Sequence, residues 1–142
     1  MKIAIAADHG GYELKENLKK HYADFDWLDL GTNSTESVNY PDYAQKMADA
    51  IRSHAAALGI LICGTGIGIS IAANRCKGIR AALIYNSQVA ALAKQHNNAN
   101  VLVFGGRTMS VDDVIKYIDI FMQADYEGGR HQLRLDKLET ME

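Results

Sequence analysis

The sequence predicts an α/β fold in which helices wrap both faces of a five-stranded parallel sheet, with a tail helix at the C-terminus. Five short apolar runs lack polar alternation, the pattern of strands buried on both faces, and each is followed by a segment with helical spacing. Such strict alternation marks parallel strands joined by helical crossovers. With 142 residues and 48% hydrophobic content, the chain suits one domain, residues 1–142, with its own core.

The elements follow in order. Lys2 to Ala7 reads as the first strand and stops at Asp8-His9-Gly10-Gly11. Leu14 and Leu18 recur at helical spacing to about Ala23, and Trp27 to Leu30 gives a second strand before Gly31. The stretch from Gly31 to Pro41, rich in Asn, Ser and Thr, is a loop, and Pro41 fits the first turn of a helix running to about His54. Leu58 to Cys63 is the third strand, Ile69 to Arg75 a short helix, and Ile79 to Tyr85 the fourth strand, with Ser87 as N-cap of a helix to Gln95. Val101 to Phe104 is the fifth strand, and Ser110 with Asp113 forms a capping box for a helix from Val111 to about Gln123. Beyond Gly128-Gly129 the tail from Arg130 to Glu142 is helical, and the weak stripe of Leu133, Leu135 and Leu138 suits packing on another subunit. The whole is a doubly wound, Rossmann or flavodoxin-like domain.

Composition excludes several function classes. No run reaches the roughly 18 to 20 apolar residues of a membrane span, and the N-terminus enters a strand without a signal-peptide pattern, so a cytoplasmic protein is expected. A net charge of −2 argues against nucleic acid as partner. Cys63 and Cys76 read as thiols, and no Cys or His pair has metal-site spacing. All 17 acidic residues lie at or before Asp49 or at or after Asp112, whereas the middle carries Arg52, Arg75, Lys77, Arg80, Lys94 and Arg107. Either buried parallel strands dilute the charge there, or the segment builds a site for a small anion such as phosphate.

In doubly wound sheets ligands bind at the carboxyl ends of the strands. That rule gathers Asp8 and His9 after the first strand, Cys63 through Ser70 after the third, Asn86 after the fourth and Gly105 through Arg107 after the fifth. Asp8 suits either chemistry or a helix cap. In Cys63-Gly64-Thr65-Gly66-Ile67-Gly68-Ile69-Ser70 a thiol empties into a glycine loop, which lacks the lysine of a P-loop and has Ile69 where a dinucleotide fingerprint needs glycine. What remains is a row of N–H groups suited to an oxyanion, beside a cysteine that is either a buried structural thiol or a base. His96, amid Gln95, Asn97 and Asn98, belongs to a plain turn or a sugar-hydroxyl site. Arg130 and Arg134 share one helical face, as a solvated pair or a phosphate clamp.

Together Asp8-His9-Gly10-Gly11, Tyr40-Pro41-Asp42-Tyr43-Ala44, the cysteine–glycine loop, His96-Asn97-Asn98 and Glu127-Gly128-Gly129-Arg130-His131 closely resemble the ribose-5-phosphate isomerase B family across essentially the whole chain. The wider family includes allose-6-phosphate and galactose-6-phosphate isomerases. The resemblance implies that Cys63 shuttles a proton between the first two sugar carbons while Gly64, Thr65, Gly66, Ile67 and Gly68 hold the enediolate. It implies ring opening by His96 with Asp8 and Thr65, phosphate binding by His9, Arg107, Arg130 and Arg134, and sugar binding by Asn97. No metal or cofactor is expected, and the partners would be a phosphorylated sugar and a second copy in a homodimer or dimer of dimers with shared sites. Some members carry a glutamate where this chain has Ile69; this chain is of the cysteine type. A non-catalytic phosphosugar-binding domain is the rival of a different class.

Overall fold

The computed structural model describes residues 1–142. Its strands are β1 (Lys2–Ala7), β2 (Asp26–Asp29), β3 (Leu58–Cys63), β4 (Ala81–Leu83) and β5 (Val101–Gly105). All pair in parallel, in the order β2-β1-β3-β5-β4. The helices are α1 (Tyr12–His21), α2 (Tyr40–Arg52), α3 (Ile67–Asn74), α4 (Ser87–Gln95), α5 (Val111–Gln123) and α6 (Arg130–Glu139).

Alternate residues of each strand feed two cores. Ile3, Ile5, Ile60, Ile62, Leu102 and Phe104 pack with Leu14 and Leu18 of α1, Ala90 and Ala93 of α4, and Val114, Ile118 and Phe121 of α5. On the opposite face Ala4, Ala6, Leu61, Val101 and Val103 meet Ala44, Met47 and Ala48 of α2 with Ile69 and Ala73 of α3. Small side chains on this second face let α2 approach the sheet closely, where Met47 fills the space a side chain on Gly59 would need.

Helix boundaries follow their caps. The predicted Ser87 cap is corrected by one residue: Asn86 is the N-cap, its Oδ1 accepting the Val89 N–H at 2.8 Å. The amide oxygen reaches the first-turn donor from the extended backbone that an N-cap adopts. Ser110 does cap α5, accepting the Asp113 N–H at 3.2 Å. Pro41 occupies the first turn of α2 as expected. The fourth strand is shorter than Ile79–Tyr85, because its edge position leaves only Ala81 to Leu83 paired with β5. The short helix begins earlier than Ile69, at Ile67, since Thr65 Oγ1 accepts the Ile67 N–H at 3.2 Å.

The strand order places the switch point of the winding between β1 and β3, whose following helices α1 and α3 leave toward opposite faces. A crevice opens at such a point beyond the carboxyl ends of the strands. β5 lies inside β4, so the loop after β5 also borders this crevice.

Candidate active site

Three loops meet at the crevice. The Gly106 N–H donates to the Cys63 carbonyl at 2.8 Å and the Arg107 N–H to the Gly64 carbonyl at 2.9 Å, which ties the loop after β5 to the loop after β3. The loop after β1 is pressed into the same corner. A Cβ on Gly106 would strike the Gly10 carbonyl oxygen, and one on Gly10 would lie 2.9 Å from the Gly64 nitrogen. Glycine is needed at these approaches because the backbones themselves are in contact.

Within this corner Cys63 is buried, and its Sγ accepts the Gly66 N–H at 3.2 Å. The sulfur thus sits as a hydrogen-bond acceptor at the turn of the loop. The N–H groups of Gly64, Thr65 and Gly68 donate to no protein acceptor and remain available to an oxyanion. Asp8 is buried and its Oδ1 accepts the Gly10 N–H at 2.8 Å. It does not cap α1, whose N-cap Gly11 has no side-chain bond. His9 Nδ1 accepts the Val38 N–H at 3.2 Å, so a neutral ring carries its proton on Nε2. Arg107 is exposed, with Nη1 3.4 Å from where a Gly64 Cβ would stand.

The remaining candidates form a second cluster. His96 ends α4, which runs back from the carboxyl to the amino edge of the sheet, and Asn100 beyond it receives the Gly59 N–H at the start of β3. The five residues of β5 separate this turn from Cys63 by roughly 13 Å at 3.3 Å per residue. The His96 ring stacks on His131 of α6, with centroids 4.2 Å apart and planes 17° off parallel. Glu127 Oε1 lies 3.5 Å from His131 Nε2 and 4.0 Å from His96 Nε2. Arg130, Arg134 and Asn97 are exposed on the same edge. Cys63, Asp8, His9, Thr65 and Arg107 therefore meet within one chain, whereas His96, Asn97, Arg130 and Arg134 do not join them.

His96, Glu127 and His131 have the donor types of a metal site, all within 4.8 Å of one another. Their ring planes are nearly parallel, so the in-plane lone pairs run side by side and do not aim at a common point. Holding an ion would require one ring to turn.

The cationic middle segment is not a single anion site. Arg52 pairs with Asp49, and Lys94 donates to Asn98 Oδ1 above the Phe121 ring. Arg75, Lys77 and Arg80 line a cleft of about 720 Å³ between β4 and the tail, which includes Asn97 but none of the carboxyl-edge residues. Asn86, placed by the strand-end rule, serves as a helix cap. Sequence reasoning gave no role to Glu127 and His131, although His131 and Leu135 at helical spacing mark the buried face of α6.

Comparison with known proteins bears on this arrangement. Residues 3–138 match the family model described as Ribose/Galactose Isomerase. Ribose-5-phosphate isomerase B of Escherichia coli K12 is 43% identical over 143 residues, covering 99% of this chain and 96% of that protein. The crystal structure of a ribose 5-phosphate isomerase from Thermotoga maritima is 48% identical, with a TM-score of 0.96 over 99% of this chain and 98% of that one. Ribose-5-phosphate isomerase B from Mycoplasma genitalium, solved with bound ribulose-5-phosphate, is 45% identical, with a TM-score of 0.91 over 97% of this chain and 93% of that one.

Proposed function

Because this chain belongs to the ribose/galactose isomerase family, we propose that it is an aldose–ketose isomerase interconverting D-ribose 5-phosphate and D-ribulose 5-phosphate in cytoplasmic pentose phosphate metabolism. The observation that carries the reading is the seat of Cys63, a buried thiol held as an acceptor beside free backbone donors at the switch point. Ribulose-5-phosphate bound to the Mycoplasma genitalium relative supports the substrate.

In this reading Cys63, as thiolate, takes the proton from C2 of the open-chain aldose and returns it to C1. The electron pair passes through an enediolate, whose negative oxygen meets the free N–H groups of Gly64, Thr65 and Gly68. The O2 hydroxyl proton moves to O1 to complete the balance. His96, with Asp8 and Thr65, opens the furanose. His9 Nε2, Arg107, Arg130 and Arg134 hold the phosphate, and Asn97 the sugar oxygens. The acid/base work falls to Cys63 and His96, and the proposed reaction takes no metal and no cofactor.

In this reading two copies complete one site, which is supported by the Cys63 cluster and the His96 cluster lying at opposite edges of the sheet. Ile67 and Ile71 on α3 are 54% and 59% exposed, and Leu133 on the tail helix 68%, an apolar surface suited to a second subunit. We read the assembly as a homodimer or dimer of dimers in which the tail helix of one subunit reaches the crevice of the other. The family description also supports a six-carbon sugar phosphate, which comparison of kcat/KM on ribose, allose and galactose phosphates would separate.

The direct test is Cys63→Ala. It should lower kcat by at least about 100-fold, the contribution of a positioned acid/base group, while calorimetric binding of ribulose 5-phosphate persists. Full turnover by the purified variant would overturn the proton shuttle.

A further inference from the structure

His96 is assigned a task that demands precise aim, yet its ring makes no hydrogen bond with the protein. A proton-transfer group misplaced by about 1 Å can cost on the order of 100-fold in rate. His96 also sits at the C-cap of α4, where chain ends fray, with a side chain 37% exposed. What holds it is the face of His131, stacked at 4.2 Å.

His131 is itself firmly held. It lies in the first turn of α6 at 7% exposure, on the face that buries Leu135 one turn later. Its Nε2 is buried without a hydrogen-bond partner, and the nearest opposite charge is Glu127 Oε1 at 3.5 Å. Glu127 is fixed in turn, its N–H donating to the carbonyl of Gln95, the residue before His96, at 3.0 Å. An orphaned buried nitrogen is costly, and a Leu or Phe would fill the position without that cost. Its retention needs a reason.

We propose that His131 is a positioning residue for His96: its buried ring is the platform that aims the ring-opening imidazole, and Glu127 holds the polar edge that both rings present. Burial, then the charges of Arg130 and His96, push the His131 imidazole below its ordinary range, against the opposing pull of Glu127. It therefore stacks as a neutral ring and does not repel the imidazolium that His96 becomes on accepting a proton. Because Arg130 and Arg134 share α6 with His131, one element sets the phosphate clamp and the ring-opening group in fixed relation.

This inference rests on the isomerase reading above, and the two can be tested apart. Opening the furanose breaks the C1–O4 bond, delivers a proton to O4 and removes one from the O1 hydroxyl. Ribulose 5-phosphate has no free hydroxyl with which to close a furanose, so exchange of its C1 proton with deuterated water needs the Cys63 step but no ring opening. His131→Ala should lower turnover of ribose 5-phosphate about tenfold to 100-fold, with KM changed less than kcat, while C1 exchange on ribulose 5-phosphate stays within about twofold of wild type. His131→Phe, which keeps a stacking face, should recover most of the lost turnover. Equal loss of exchange and turnover in His131→Ala, or a Phe variant as impaired as the Ala variant, would overturn the platform role. Failure of the wild-type protein to convert ribose 5-phosphate into ribulose 5-phosphate would instead sink the isomerase reading.

Discussion

At the scale of single residues the site depends on backbone geometry as much as on side chains. Gly66 holds φ at 81°, and its missing Cβ would stand 3.0 Å from the Phe104 carbonyl and 2.6 Å from Leu83 Cδ1. That conformation aims the Gly66 N–H at Cys63 Sγ. A side chain at Gly66 would be strained by its φ and would also overpack the loop. Gly66→Ala should therefore lose about 1–3 kcal/mol in denaturant unfolding and lose activity with it. Unchanged stability would show that the loop tolerates another path. The residue types of this loop were legible in the sequence, because glycine at alternate positions has few other uses. The Cys63 hydrogen bond was not, since it depends on the turn the loop takes.

Among elements, α1 and β2 are joined by a buried charge network that no sequence pattern announced. Lys15 is fully buried and donates to Asp29 Oδ2 at 2.7 Å and Glu16 Oε2 at 2.9 Å, while Lys19 reaches the same Asp29 oxygen at 2.6 Å. Burial would raise the Asp29 carboxyl, but hydrogen bonds from Lys15, Lys19 and the Gly31 N–H outweigh it and hold the group below the ordinary carboxylate range. A depressed folded value means stability that is fully present above the unfolded value, roughly pH 4, and is lost as pH falls through the lower folded one. Asp29→Asn should be less stable than wild type at neutral pH, and the gap should narrow as pH drops from about 5 to about 2. A gap independent of pH in that window would show that the carboxylate charge contributes nothing. The heptapeptide from Lys15 to His21 looks like any solvated helix face in sequence, because only the docking of β2 decides which lysine is enclosed.

For the whole molecule, the decisive feature is that the Cys63 cluster and the His96 cluster lie on opposite edges of the sheet, which the proposed isomerase joins into one site from two subunits. If a site takes Cys63 from one subunit and His96 from the other, Cys63→Ala and His96→Ala chains are each inactive, yet a mixed dimer regains one intact site. Random mixing puts half the chains' pairings in mixed dimers with one good site of two, so unfolding and refolding an equimolar mixture should restore roughly a quarter of wild-type activity, as two-fold symmetry requires. No recovery, with mixed dimers confirmed by mass, would place each site within one subunit.

The sequence by itself determined the α/β class, the approximate span of nearly every element and the identity of the candidate residues. These follow from local periodicity, from glycine and proline, and from polar residues stacked at strand ends, all of which are written in short windows of chain. Strand order was decided only by the tertiary structure, which seats β5 between β3 and β4 and so brings Arg107 beside the glycine loop. The same holds for the retreat of His96 to the far edge and its seat on His131. Strand order and stacking join residues far apart in the chain, and no local pattern encodes which of several parallel neighbours a strand will choose.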